Sequence, residues 1–307
     1  MREEAREYLR EIQPDAVITG QSAPDLGVDE ALLAESTTPW TFTVQDVDGL
    51  VIPGFGALAP YFFVSKPSAA ALTRKRADVQ TVVVGSLRHA SYGELNPRQL
   101  REEGRRLVPG GGDLVGFYGQ PAWHLPGYRR TLERFAESLS TLPSPFTLLY
   151  RPHPKESDDD RARTHSILSD CGVPVLADPS PSVEMSLCAV DLVVVCYSSC
   201  GIDQVHLQRR SDRPLNVSMF LMFDENIRSN YLIECGVEAP PEIAQGLTRG
   251  LVQNLSSPRE LTDALIQALV PAVRQTMWQS VHESVELASD APAKVIAHIE
   301  HINWSSP

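Results

Sequence analysis

Short apolar runs rich in β-branched residues, each followed by a helical pattern, recur along most of the chain and limit what it can fold into. DAVITG reads as a strand over residues 16–19, closed by a Gly-Gln-Ser-Ala-Pro loop, and a helix over Val28–Glu35 follows. WTFTVQD (40–46), YFFVSK (61–66) and VQTVVVGS (79–86) read as further strands, and PSAAALTRK as a helix with proline near its start. Residues 89–113 are polar and rich in turn formers, a linker region with a helix near 97–106. The pattern then restarts: strand LVGFYG, helix YRRTLERFAESL, strand FTLLYRP, a helix near 159–169 and the short strand VPVLA. A helical turn SVEMSLC, the strand DLVVVCYSS, a helix from near Gly201 and the strand PLNVSMF complete the series, and from about Glu260 the pattern is helical. Strands alternating with helices imply parallel sheets covered on both faces. Such sheets hold ligands at the carboxyl ends of their strands, where loops lead into helix N-termini.

With 307 residues the chain has room for two such domains. The expected division is residues 1–106, a short first domain, and residues 107–307, the second domain with terminal helices. Net charge is −12, which disfavours broad binding to nucleic acid or an anionic membrane. Arg74-Lys75-Arg76 is the one dense basic run and reads as a solvated helix end. No apolar run is long enough for a transmembrane helix, the first residues lack the apolar region of a secretory signal, and five unpaired-looking cysteines fit a reducing compartment; the expected location is cytoplasmic.

Two stretches carry candidate chemistry. LLYRPHPKE ends an apolar strand in two cations and a histidine held between prolines. His153 could donate to a phosphate oxygen there with Arg151 and Lys155 beside it, or be a satisfied histidine in a surface turn. VVVCYSSCGID ends a second buried strand in Ser198-Ser199 where a helix should begin. Two hydroxyls and free N–H groups at a helix N-terminus make an anion site, and Ser199 could equally serve as a plain N-cap. On one sheet edge the two stretches would hold opposite sides of a phosphate. Glu184 would share that edge, either accepting from a ribose hydroxyl or facing solvent. Gly119 and Gln120, in the loop after LVGFYG, either approach a ligand held on this edge or form a turn.

Arg-Pro-His-Pro followed some forty residues later by Ser-Ser resembles the paired motifs of bacterial sialyltransferases, of capsule 3-deoxy-manno-octulosonic acid transferases and of CDP-glycerol glycerophosphotransferases. The resemblance spans mainly residues 114–217. It implies a GT-B-like fold, two Rossmann-like domains with parallel sheets facing a cleft, and places His153, Ser198 and Ser199 on the phosphate of a cytidine nucleotide donor. The sialyltransferases carry an acidic-acidic-glycine motif whose carboxylate is the general base. The nearest match is QDVDGL, where Asp46 and Asp48 are candidate bases although Val47 stands where an acid is expected; Asp and Gly also suit a turn.

The expectation is therefore a glycosyltransferase moving a sugar from a nucleotide donor to a hydroxyl acceptor, with Arg151, His153, Ser198 and Ser199 stabilising the departing phosphate and neither metal nor cofactor called for. UDP-N-acetylglucosamine 2-epimerases share the architecture, so an epimerase or hydrolase is an alternative, as is a non-catalytic binder. Four further features read as structure. SDDDRARTH is a capped helix start. Cys196 and Cys200 are small buried residues. His298 and His301 belong to a terminal helix, and Trp123 and Tyr128 to packing.

Overall fold

The structure is a computed structural model that describes residues 1–22, 26–109, 111–143, 145–170, 172 and 174–302. Ala23 and Pro24 of the first loop, Gly110 of the linker, Cys171, and Val173 at the head of VPVLA lie outside the described residues. The chain divides into two compact units. One comprises Met1–Gly93, Ile233–Gly236 and Leu287–Pro307, and the other Glu94–Leu232 and Val237–Glu286.

The first unit opens with α1 (Arg2–Ile12) and holds β1 (Val17–Thr19), α2 (Val28–Glu35), β2 (Thr41–Val44), β3 (Tyr61–Val64), α3 (Pro67–Arg76) and β4 (Gln80–Val83). Its four strands are parallel and lie in chain order. Alternation along YFFV sorts the core. Phe62 and Val64 point to the face covered by Leu33 of α2 and by Ala69 and Ala70 of α3, while Phe63 points to the other. A parallel sheet needs both faces covered. The second is closed by the C-terminal helix Ala291–Glu300, whose Val295 packs with Trp40, Phe42 and Phe63. His298 stands edge-on to Phe42 and Phe63, with ring centroids 6.3 and 5.8 Å apart, so it serves packing. Arg74, Lys75 and Arg76 occupy the last turn of α3, where cations suit the helix dipole.

The second unit contains α4 (Pro97–Leu107), β5 (Asp113–Tyr118), α5 (Pro126–Leu139), β6 (Phe146–Arg151), α6 (Asp158–Ser169) and β7 (Val175–Ala177). It continues with α7 (Val183–Ala189), β8 (Leu192–Val195), α8 (Cys200–Arg210), β9 (Val217–Leu221), α9 (Glu225–Cys235, whose last three residues fall in the first unit), α10 (Pro241–Ala244), β10 (Arg249–Leu251), α11 (Pro258–Leu269) and α12 (Pro271–Ser284). All strand pairs are parallel, in the order β10-β9-β8-β5-β6-β7. Strand order reverses between β5 and β8, so the switch point of a doubly wound sheet lies there. β5, β6 and β8 are buried almost throughout, which explains their continuous apolar runs. Gly201 lets the start of α8 lie against the sheet, because a Cβ there would run into the Phe220 ring of β9. Ser157 caps α6 by accepting the Asp160 N–H at 3.2 Å, as the sequence predicts. The sequence reading ended its strands at PLNVSMF; α9, α10 and β10 extend the series beyond it.

Candidate functional site

The carboxyl ends of β6, β5 and β8 are neighbours, and their loops are laced together. Gly119, one residue past β5, donates its N–H to Arg151 O at 2.9 Å, which carries the β5–β6 ladder beyond the strand. Gln120 turns the other way, its Oε1 accepting the Tyr197 N–H at 2.7 Å just past β8. Its own N–H donates to the Tyr128 hydroxyl at 3.3 Å. Two strand spacings separate β6 from β8, so the Arg-Pro-His-Pro corner and the Ser-Ser turn stand about 10 Å apart across the β5 loop. The structure thus brings Gly119, Gln120, Arg151, His153, Ser198 and Ser199 onto one edge of one sheet, at its switch point. Glu184 sits half-buried in the first turn of α7, which connects β7 to β8.

The corner is held from within. Glu156 is buried at 4 % exposure, and its carboxylate accepts the His153 N–H and the Tyr150 hydroxyl, the latter at 3.3 Å. The Glu156 N–H donates back to His153 O at 3.0 Å and closes the turn. Gly119 is small because a Cβ on it would meet this same carboxylate. Burial pushes the Glu156 carboxyl above its ordinary value despite these donors.

Arg151 is anchored through one guanidinium nitrogen. Its Nη1 lies 2.7 Å from Asp178 Oδ2 and donates to Ser180 O at 3.0 Å, joining the β6 end to the loop after β7. His153 is half-buried, and Lys155 donates its backbone N–H to His153 Nδ1 at 3.1 Å. A ring nitrogen that accepts carries no proton, so the imidazole proton sits on Nε2. Burial and the Lys155 cation lower the His153 pKa. The corner therefore offers a neutral Nε2–H donor at neutral pH.

Across the β5 loop, Ser198 is buried and its Oγ accepts the Cys200 N–H at 3.4 Å. Ser199 holds the N-cap position of α8, yet its side chain makes no capping hydrogen bond, so side-chain N-capping does not account for it. Cys196 is fully buried at the end of β8 and burial raises its thiol, while Cys200 is half-buried. Among the described residues no group of three or more His, Cys, Asp or Glu could hold a metal ion. Trp123 donates Nε1–H to Thr164 Oγ1 at 3.0 Å and meets Tyr128 edge-on, which is packing within the second unit.

Asp46 and Asp48 belong to the first unit, in the loop after β2. Asp48 accepts from Ser65 Oγ at 2.8 Å and pairs with Lys66 Nζ at 2.8 Å, so it pins the end of β3. Asp46 is exposed. Sequence reasoning missed Glu156 and Asp178. The acid three residues after His153 was the available signal for Glu156; nothing in the sequence links Asp178 to Arg151.

No protein-family model matches the sequence, and no curated protein does. Solved structures match over nearly the whole chain. The UDP-GlcNAc 2-epimerase from Neisseria meningitidis bound to UDP-GlcNAc is similar with a TM-score of 0.65 and 10% identity, covering 98% of this chain and 80% of that one. MnaA of S. aureus with UDP gives a TM-score of 0.66 and 11% identity, covering 98% and 77%. The wall teichoic acid polymerase TagF soaked with CDPG gives 0.51 and 12%, covering 97% and 84%. At such identities the likeness is one of fold. The chain has the GT-B-like architecture of two Rossmann-like units with parallel sheets of four and six strands. Among the described residues no helix is long and apolar enough to cross a membrane.

Proposed function

We propose that this GT-B-like chain is a glycosyltransferase that takes a nucleotide-activated sugar, with cytidine as the preferred base, and passes the sugar to a hydroxyl acceptor. The observation that carries the reading is the laced edge at the β5–β8 switch point. A neutral His153 Nε2–H stands on one side, and Ser198, Ser199 and the N-terminus of α8 stand on the other. Donors fixed before the ligand arrives favour the charge that develops on a departing nucleotide phosphate. Gly119 and Gln120 form the floor between them. Arg151 sets the corner's position through Asp178 and Ser180, and Glu184 accepts from the ribose. Cytidine is preferred because the His-Pro and Ser-Ser pair resembles that of the cytidine-dependent transferases. Asp46 or Asp48 is the base in this reading.

The fold likeness to UDP-GlcNAc 2-epimerases over 98% of the chain supports a second reading, inversion or hydrolysis of a UDP-sugar. Product analysis by NMR separates the two. A transferase releases CMP from a cytidine-activated sugar in proportion to added acceptor, and Asp46→Asn or Asp48→Asn lowers turnover by about 100-fold or more while donor affinity holds. An epimerase converts UDP-GlcNAc with no acceptor present. Inertness toward both substrates across an acceptor screen would overturn both readings.

A further inference from the structure

We infer that the second unit carries another anion site, at the opposite end of its sheet: an arginine-lined groove that takes a ligand with two or more phosphoryl groups. The groove has a volume of about 450 Å³ and is lined by Arg98, Arg101, Glu102, Arg105 and Arg106 of α4 and by Arg213 ahead of β9. The spacing of 98, 101 and 105 puts their side chains on one face of the helix. Asp191 and Leu114, which anchor this face, stand at the amino-terminal ends of β8 and β5. The six residues of β5 put the groove about 20 Å from the laced edge described above.

Charge at the groove is unbalanced. Three guanidiniums converge on the single carboxylate of Asp191, which is buried. Arg101 Nη2 reaches it at 2.6 Å and Arg274 Nη1 at 3.1 Å, and Arg105 Nη2 completes the set. Asp191 also accepts the Leu114 N–H at 2.9 Å. Arg101 donates to the Cys188 and Val190 carbonyls at 2.8 Å each, and Arg105 to Gly112 O at 3.3 Å. These bonds fasten α4 to the sheet and fix two guanidiniums, each of which has five N–H donors. They give no account of the outer arginines. Arg98 pairs with Glu102 at 3.2 Å, Arg213 lies only loosely against Asp212 at 3.7 Å, and Arg106 has no ion-pair partner among the described residues. A chain of net charge −12 has thus gathered an excess of cations into one concave site. Guanidinium forks match phosphate geometry, and two of them are already immobilised, which lowers the ordering cost of binding.

A free polyphosphorylated molecule and an anionic lipid headgroup share this chemistry, and the test has an arm for each. Sodium triphosphate is titrated calorimetrically into wild type, into the Arg98→Gln/Arg106→Gln/Arg213→Gln variant and into His153→Ala. Flotation with phosphatidylcholine vesicles, with and without cardiolipin, whose headgroup carries two phosphates, runs in parallel. The expected result is saturable triphosphate binding that weakens with salt, falls by at least about tenfold in the triple variant and survives in His153→Ala. Vesicle binding that needs cardiolipin and is lost in the triple variant, with no saturable triphosphate binding, identifies the lipid source instead. Binding of neither probe, binding unchanged in the triple variant, or triphosphate binding lost only in His153→Ala overturns the proposal. The three altered side chains lie outside the Asp191 cluster, and an unchanged thermal midpoint checks the fold; should the triple variant fail to fold, Arg106→Gln alone gives the same readout.

Discussion

His153 acts as a neutral donor because Lys155 N–H occupies its Nδ1 and because burial and the Lys155 cation lower its pKa. A depressed histidine pKa contributes stability that is fully present above the unfolded value of 6.5 and is lost as pH falls through the folded value. Nucleotide affinity has the opposite sign. It should stay level as pH rises above 6.5 and strengthen only below it, where the ring begins to charge. Calorimetric titration across that range tests this; an affinity that drops steeply as pH rises through 6.5 would show that the imidazolium is the binding form. Glu156 and Gly119 make a second prediction. Gly119→Ala pushes a methyl into a buried carboxylate that holds the corner, so it should cost about 1–3 kcal/mol in urea unfolding and loosen nucleotide binding as well. Full stability with unaltered binding would mean that the carboxylate moves aside freely.

Asp191 ties α4 to the foot of β5 and β8, so its removal tests the packing of whole elements. Burial alone would raise its pKa, but the Leu114 N–H and the Arg105 and Arg101 cations outweigh that and hold it below the ordinary value. Its stabilising contribution is therefore present above pH 3.8 and lost as pH falls through the folded value. Asp191→Ala should destabilise the second unit by about 3–5 kcal/mol at neutral pH, because three cations are left facing one another, and urea unfolding measures it. A loss below about 1 kcal/mol would show that carbonyls alone hold these arginines. This cluster was not legible in the sequence. Its members lie 77 to 90 residues from Asp191, and no periodicity marks which carboxylate meets which arginine. The strands and helices were legible wherever apolar runs ended in Pro, Gly or Ser, and α2 spans the residues the pattern gave it. Arg249-Gly250-Leu251 was not, because an arginine, a glycine and one leucine carry no run of β-branched or apolar residues to read. The corner was visible as Arg-Pro-His-Pro, whereas the pairing of Arg151 with Asp178 is a tertiary fact.

At the scale of the molecule, two parallel sheets of four and six strands give a GT-B-like chain, and the proposed nucleotide site lies in its second unit. The C-terminal helix returns to close the first sheet, so that unit needs residues from both ends of the chain. Truncation before Ala291 should therefore expose Trp40, Phe42 and Phe63 and lower the first transition in a thermal melt, measurable by tryptophan fluorescence; an unchanged melt would contradict that role. The central claim is that the corner at the end of β6 binds nucleotide phosphate. Calorimetric titration of CMP, CDP, UMP and UDP into wild type and His153→Ala tests it most directly. Tight binding of a cytidine nucleotide, weaker binding of its uridine counterpart and a loss of about tenfold or more in His153→Ala are expected. Binding that survives the substitution unchanged, or no binding of any of the four, would contradict it.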